Sequence, residues 1–369
     1  MIQRVTLRDI ATEVGVHYST VSMALRDNPR ISKDVKDKIK AVAERLGYVP
    51  DAALSALNAY RKAKLQAHYQ STIAWVDNWS GQYRLRDQPT FDEYFRGASE
   101  RARELGYNVE EFSLKRDNLT PDQLSRILRN RGIRGLLLAP QPSAGTWLPL
   151  AYEWFSVITF GYSLYPRLFN LVTNHQIHSA NLAFNTLKNL GYKRIGLYVH
   201  RGHDDKVENA YSIGYWLYHK KNPHEQRIEP CFDPSVRRPE ETFERWFRKT
   251  SPDVVLFLGG FDIASWIRDL GLRIPEDVGL ANLSLAADDM TLSGVYENGI
   301  TIGRTAVDNL VEMLQRGEQG PPTTPIRILV EGVWREGRTT RSQNGAELTG
   351  PEPSQVKRSP RRKRQPSAG

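Results

Sequence analysis

Gly15 separates two short apolar-periodic stretches, and this arrangement limits how the first fifty residues can fold. Thr6 opens the first stretch as a cap, with Asp9 three residues later near the positive end of a helix. Ile10, Ala11 and Val14 supply one apolar face. Glycine adopts the backbone angles of a sharp turn without steric cost. Tyr18 to Leu25 is therefore predicted as a second helix, with Val21 and Leu25 inward. A third is predicted from about Ser32 to Leu46, where Val35, Ile39, Val42 and Leu46 recur at helical spacing and Gly47 ends the run. Three short helices about one core, with a sharp turn between the first two, form the helix-turn-helix arrangement that seats a helix in the DNA major groove. The exposed positions of the second helix are His17, Tyr18, Ser19, Thr20, Ser22 and Met23. Small hydroxyls there can pair with bases or phosphates, and Tyr18 can reach either. The competing reading is a surface helix in a small bundle that binds nothing.

Charge favours a nucleic-acid reader. Of a formal net charge of +9, residues 1–66 carry +5, from 12 Lys and Arg against 7 Asp and Glu. Residues 342–369 carry +4, from 6 against 2, so the large middle is neutral. Basic ends around a neutral body suit a DNA-binding head fused to a domain with another task. At 369 residues the chain is expected to hold two or three units. It has no apolar run of about eighteen residues, so a membrane partner is not expected. Met1-Ile2-Gln3-Arg4 lacks the apolar block of a signal peptide, so export is not expected. Cys231 is the only cysteine, which rules out an internal disulfide, suits a reducing cytoplasm and reads as apolar filling.

From Ser71 onward, strand-like runs alternate with helical stretches. Strands are predicted near 72–77, 108–112, 135–139, 156–160, 194–199, 228–232, 254–258 and 278–283. Helices are predicted near 91–105, 121–130, 175–190, 206–220, 237–249, 262–270 and 299–316. This alternation implies parallel sheets covered on both faces. Eight strands in two sets imply two similar lobes. Leu-Gly-Tyr at 46–48, 105–107 and 190–192 reads as recurring helix-stop chemistry rather than a repeat.

Residues 5–60 resemble the DNA-binding region of the lactose/galactose repressor (LacI/GalR) family. The matching elements are Val5-Thr6-Leu7, Asp9-Ile10-Ala11, Gly15-Val16, Thr20-Val21-Ser22 and Leu46-Gly47-Tyr48-Val49-Pro50. The resemblance implies base contacts from Tyr18, Ser19 and Met23, within a DNA-facing set that also takes in Thr6, His17, Thr20, Ser22 and Asn28. Many members carry arginine where this chain has Met23, so a bidentate guanine contact gives way to an apolar one. Residues 50–60 correspond to the family's hinge helix, with Ser55 beside the duplex and Leu57 as a minor-groove wedge. Asp51, Leu54 and Ser55 stand where the family usually has Asn, Ala and Arg. On the residues alone, the competing reading of the same segment is a linker whose leucines pack on the next domain.

The middle region resembles the family's effector-binding core, which is similar to periplasmic sugar-binding proteins. The matching elements are Phe91 to Gly97, Asn174 to Gly196 and Gly271 to Val278. Ligands in such folds lie outside the carboxyl ends of the strands, between the lobes. The candidate effector contacts are Asp77, Trp79, Tyr94, Gln141, Phe160, Asn174, Asn209, Tyr211, Asn282 and Ser284. Carboxylates and amides there would pair with hydroxyls, and Trp79 would stack on a sugar face. Trp79 also reads as a packing residue, and Asn174 as a helix cap. Three positions depart from the family: Asn174 and Ser284 replace aspartates, and Tyr211 replaces a ligand-contacting arginine.

No P-loop, nucleophile elbow or zinc-protease helix is present, and the eight histidines show no metal-ligand spacing. No cofactor, metal or catalytic residue is assigned, and an enzyme on an α/β scaffold has little support. The expected organisation is an N-terminal all-α helix-turn-helix domain (1–49) and a hinge helix with linker (50–70). An α/β two-lobed periplasmic-binding-protein-like core of doubly wound parallel sheets (71–340) follows, then a basic disordered tail (341–369). Arg361-Arg362-Lys363-Arg364 in that tail would add nonspecific phosphate affinity or only solubility. The expected function is a DNA-binding transcriptional regulator, commonly a repressor. Its partners are a near-palindromic duplex operator, a small-molecule effector such as a sugar or derivative, and a second copy of itself. Its place is the cytoplasm, at the nucleoid. A small-molecule sensor with a vestigial head remains the alternative.

Overall fold

The computed structural model describes residues 5–25, 31–48, 71–80, 84–234 and 237–343. The head holds helices α1 (Leu7–Val14), α2 (Tyr18–Leu25) and α3 (Lys33–Arg45). The Thr6 backbone N–H donates to Asp9 Oδ2 at 2.7 Å, which closes the start of α1. Gly15 follows α1 at φ 75°, the left-handed region, and its N–H donates back to the Ala11 carbonyl at 3.0 Å. That conformation turns the chain so that Ile10, Val21, Ala24, Ile39 and Ala43 bury together, with Val14, Leu25, Val35, Val42 and Leu46 packed around them.

The body is two six-stranded sheets. The first lobe contains β1 (Ser71–Asp77), β2 (Tyr107–Ser113), β3 (Gly135–Leu138), β4 (Ser156–Phe160) and β5 (Asn170–Asn174), with helices α4 (Pro89–Glu104) and α5 (Pro121–Asn130). The second contains β6 (Ile195–His200), β7 (Cys231–Asp233), β8 (Val254–Leu258), β9 (Gly279–Leu285) and β10 (Ser293–Tyr296). Its helices are α6 (Gln176–Asn189), α7 (Arg201–Asp205), α8 (Ala210–Lys221), α9 (Pro239–Thr250) and α10 (Ile263–Asp269). The chain then returns to the first lobe as α11 (Gly299–Arg316) and β11 (Arg327–Val330), and ends in the second as β12 (Val333–Arg335). The sheet orders are β11-β5-β4-β3-β1-β2 and β12-β10-β9-β8-β6-β7. All pairings are parallel except β10 with β12. Each sheet is buried on both faces, which its continuous apolar strands require.

All three Leu-Gly-Tyr stretches do stop helices: α3, α4 and α6 end just before them, and Gly47, Gly106 and Gly191 take φ of 67°, 83° and 94°. Four strands, β5, β10, β11 and β12, add to the eight predicted. The helix predicted at 206–220 starts only at Ala210, as α8, because Glu208 and Asn209 take φ of 59° and 60°; the short α7 precedes that turn and was not predicted. In the first lobe, α11 crosses α4 at glycines. A Cβ on Gly303 would overlap the Tyr94 carbonyl oxygen and lie 2.7 Å from Ala98 N; one on Gly97 would overlap Ile300. Among the described residues, no helix is long and apolar enough to cross a membrane.

Candidate functional site

The head presents its candidate surface at the start of α2. Tyr18 is 49% exposed, with its ring 4.5 Å from that of His17, which is also exposed. Thr20 and Met23 are half-buried on the same helix, and Thr6 is exposed at the start of α1. Ser19 and Ser22 belong to α2, but their side chains, like all of Asn28, Ser55 and Leu57, lie outside the described residues.

The second site is the cleft between the lobes, about 340 Å³ in volume. It opens where strands of both sheets end, as the doubly wound topology dictates. Trp79, after β1, donates its indole N–H to the Pro140 carbonyl at 2.8 Å, while the Lys206 ammonium sits 5.4 Å above its ring. Burial pushes the Lys206 ammonium down to about 8. Asn174, ending β5, donates to the Tyr211 hydroxyl at 3.4 Å and accepts from Gln176 Nε2 at 2.6 Å. It does not cap α6; His175 holds that position. Asn282 Oδ1 accepts the Ser284 N–H at 2.8 Å.

The floor of the cleft is a buried carboxylate that the sequence reading did not single out. Glu297 follows β10 and is 5% exposed. Tyr94 from the first lobe donates to its Oε2 at 3.2 Å, and Tyr211 from the second donates to its Oε1 at 3.3 Å. Burial raises the Glu297 carboxyl to about 7; hydrogen bonds from Ser284, Tyr94 and Tyr211 oppose that shift, and the Glu93 charge adds to it. The phenols of Tyr94 and Tyr211 are pushed well above their ordinary value, first by burial and then by the Glu297 charge.

Six of the ten predicted effector residues line this cleft: Trp79, Tyr94, Asn174, Tyr211, Asn282 and Ser284. The fold places the other four elsewhere. Asp77 is buried against the Trp79 N–H and the Ser113 hydroxyl, at 3.0 and 2.8 Å, and shapes the loop from beneath. Gln141 is fully buried and donates to the Ala139 carbonyl at 2.6 Å. Phe160 packs on Trp75 and Tyr94 in the core of the first lobe. Asn209 is exposed in its left-handed turn before α8. Gln176, Thr90, Phe91, Lys206 and Glu297 join the lining unpredicted. Apart from Lys206, Glu297 and Asp289, the lining is neutral: amides and hydroxyls between aromatic rings. Such a surface suits a ligand carrying several hydroxyls on an apolar face.

Residues 6–51 match the family model for bacterial regulatory proteins of the lacI family, and residues 184–340 match a periplasmic binding protein-like domain. The chain joins a LacI-family head to a periplasmic-binding-protein-like body. Among its relatives is the HTH-type transcriptional repressor PurR of Haemophilus influenzae, 20% identical over 339 residues, covering 85% of this chain and 93% of that one. The HTH-type transcriptional regulator MalR of Streptococcus pneumoniae is 27% identical over 194 residues, covering 52% and 56%. Two solved structures share the fold. A CelR–cellobiose complex matches with TM-score 0.59 at 19% identity, covering 91% of this chain and all of that one. A Lac repressor dimer bound to operator and the anti-inducer ONPF matches with TM-score 0.56 at 18% identity, covering 92% and 100%.

The raised Glu297 predicts a pH signature for this chain. Between about 4.5 and about 7 the folded protein holds a proton that the unfolded chain releases. Its contribution is therefore complete in acid and declines as pH rises through that window, by on the order of 3 kcal/mol in all. Melting curves of wild type and Glu297→Gln from pH 5 to 8 should show the variant gaining relative stability toward pH 8. A constant difference would mean that Glu297 stays ionised when buried.

Proposed function

We propose that the protein is a transcriptional repressor that binds a near-palindromic operator as a homodimer, with a small polyhydroxylated effector setting its affinity. The carrying observation is the pairing of a trihelical head, with Tyr18 half-exposed at the start of its second helix, with a two-lobed body whose cleft floor joins both lobes through Glu297. Tyr18 and Met23, with Thr6, His17, Ser19, Thr20 and Ser22 around them, would face the duplex. Trp79, Asn174, Tyr211 and Asn282 would hold the effector. The PurR relative, named a repressor, supports the sign of regulation, and the Lac repressor dimer on its operator supports the assembly. An effector that binds one lobe arrangement better than the other shifts operator affinity by that difference. The protein would act in the cytoplasm at the nucleoid, and no catalytic step is assigned to it.

Selection of duplexes from a random pool at moderate salt tests this reading. A two-fold symmetric consensus is expected, and Tyr18→Ala should weaken binding to it about ten- to a hundredfold while leaving nonspecific binding intact. Recovery of no consensus would instead favour a sensor whose head no longer reads DNA.

A further inference from the structure

Three chain segments cross between the lobes, and they meet at one point. His175 lies on the first crossing, between β5 and α6; Asn298 on the second, between β10 and α11; Glu331 on the third, between β11 and β12. The His175 N–H donates to the Val330 carbonyl at 2.9 Å, and Asn298 Nδ2 donates to the Glu331 carbonyl at 2.7 Å. The first and third crossings are thus tied backbone to backbone, and the Asn298 side chain ties the second to the third.

Side chains converge at the same place. His175 Nδ1 lies 3.0 Å from Glu331 Oε1, and His178 Nε2 lies 2.7 Å from Glu331 Oε2. The two imidazoles stand nearly parallel, with centroids 5.7 Å apart. One ligand atom from each of the three residues falls within 4.8 Å of the others. A zinc ion bound at about 2.1 Å to nitrogen and oxygen holds its ligands roughly 3.4 Å apart in a tetrahedron, so small side-chain rotations would suffice. Two imidazoles and a carboxylate are a borderline donor set that suits zinc, nickel and copper over calcium and magnesium. All three side chains are at least one-third exposed, so an ion can enter and complete its coordination with water.

We propose that His175, His178 and Glu331 form a zinc-class metal site that clasps the first and third lobe crossings. The ion would hold the start of α6 against the β11–β12 connection. Lobe movements that separate these segments would then have to break coordination. The proposal stands apart from the repressor reading, because it concerns the hinge and needs neither operator nor effector.

Zinc titration into chelator-stripped full-length protein, followed by calorimetry, tests it. One ion per chain is expected, with a rise in melting temperature. His178→Ala and Glu331→Gln should each weaken binding at least tenfold and abolish the thermal shift. His203→Ala alters another close histidine pair, His200 and His203, whose rings are 5.1 Å apart, and should bind as wild type. Glu331→Gln keeps the side-chain shape and guards against a variant that merely misfolds. Absence of binding by the wild type, unchanged binding by both hinge variants, or loss confined to His203→Ala would overturn the assignment.

Discussion

Gly303→Ala is expected to lower the stability of the body by about 3 kcal/mol or more, a fall in melting temperature of roughly 6–12 °C. The added methyl would overlap the Tyr94 carbonyl oxygen and press on Ala98 N, both backbone atoms of α4. Backbone cannot rotate out of the way as a side-chain end can, so α4 and α11 must move apart. These helices pack Tyr94, Ala98, Ile302, Ala306 and Val307 into one buried cluster, and every contact in it loosens together. The displacement should also reach the cleft, since α4 carries Tyr94 to Glu297. Effector affinity should therefore fall along with stability. Gly260→Ala is the matched control for the melt: its Cβ meets nothing within 4 Å and its φ is ordinary. Calorimetric melts of the two variants give the comparison. Equal melting temperatures would show that the helix pair yields more easily than its close approach implies.

The second large effect is expected from Ile39→Ala in the head. Ile39 is fully buried against Ile10 and Val21. Truncation of a buried isoleucine costs about 2–5 kcal/mol. A domain this small has little stability to spare. DNA affinity should drop on the order of a hundredfold per head, at about 1.4 kcal/mol per tenfold. The body shares no core with the head among the described residues, so its melting transition and effector binding should stay as in wild type. A gel shift beside a two-transition melt reads both quantities. Intact DNA binding would show that the head draws its stability from elsewhere.

The head was legible because each of its signals is local. Thr6 and Asp9 lie three residues apart, Gly15 is a single-residue turn, and Ile39 recurs at helical spacing from Val35 and Val42. The helix stops at Gly47, Gly106 and Gly191 were legible for the same reason. The strands that were missed, β5 and β10 to β12, are three to five residues long. Asn170 and Asn174 bracket β5, and Ser293 and Gly294 open β10, so neither shows an apolar run; their places come from neighbouring strands. The cleft was half legible. Trp79 follows β1, Asn282 lies in β9 and Asn174 precedes a helical run, so each advertises itself, whereas Glu297 acquires its character from Tyr94, 203 residues away, and Tyr211, 86 residues away. The histidines show the same limit. His175 and His178 carry no motif by themselves, and Glu331 reaches them only because the third crossing runs beside the first. Asp77 and Gln141 erred the other way: a polar residue at a strand end looks like a ligand contact until its own backbone partners are counted.

The return of α11 and β11 to the first lobe has a consequence for biosynthesis. The first sheet gains its last strand only at Arg327–Val330, and α11 covers one of its faces only from Gly299 onward. A ribosome will have emitted the second lobe through β10 before the first is sealed. Until then Trp75, Leu137 and Ile158 have α4 but lack the part of their cover that α11 supplies, a sticky half-finished surface of the kind that recruits chaperones to nascent chains.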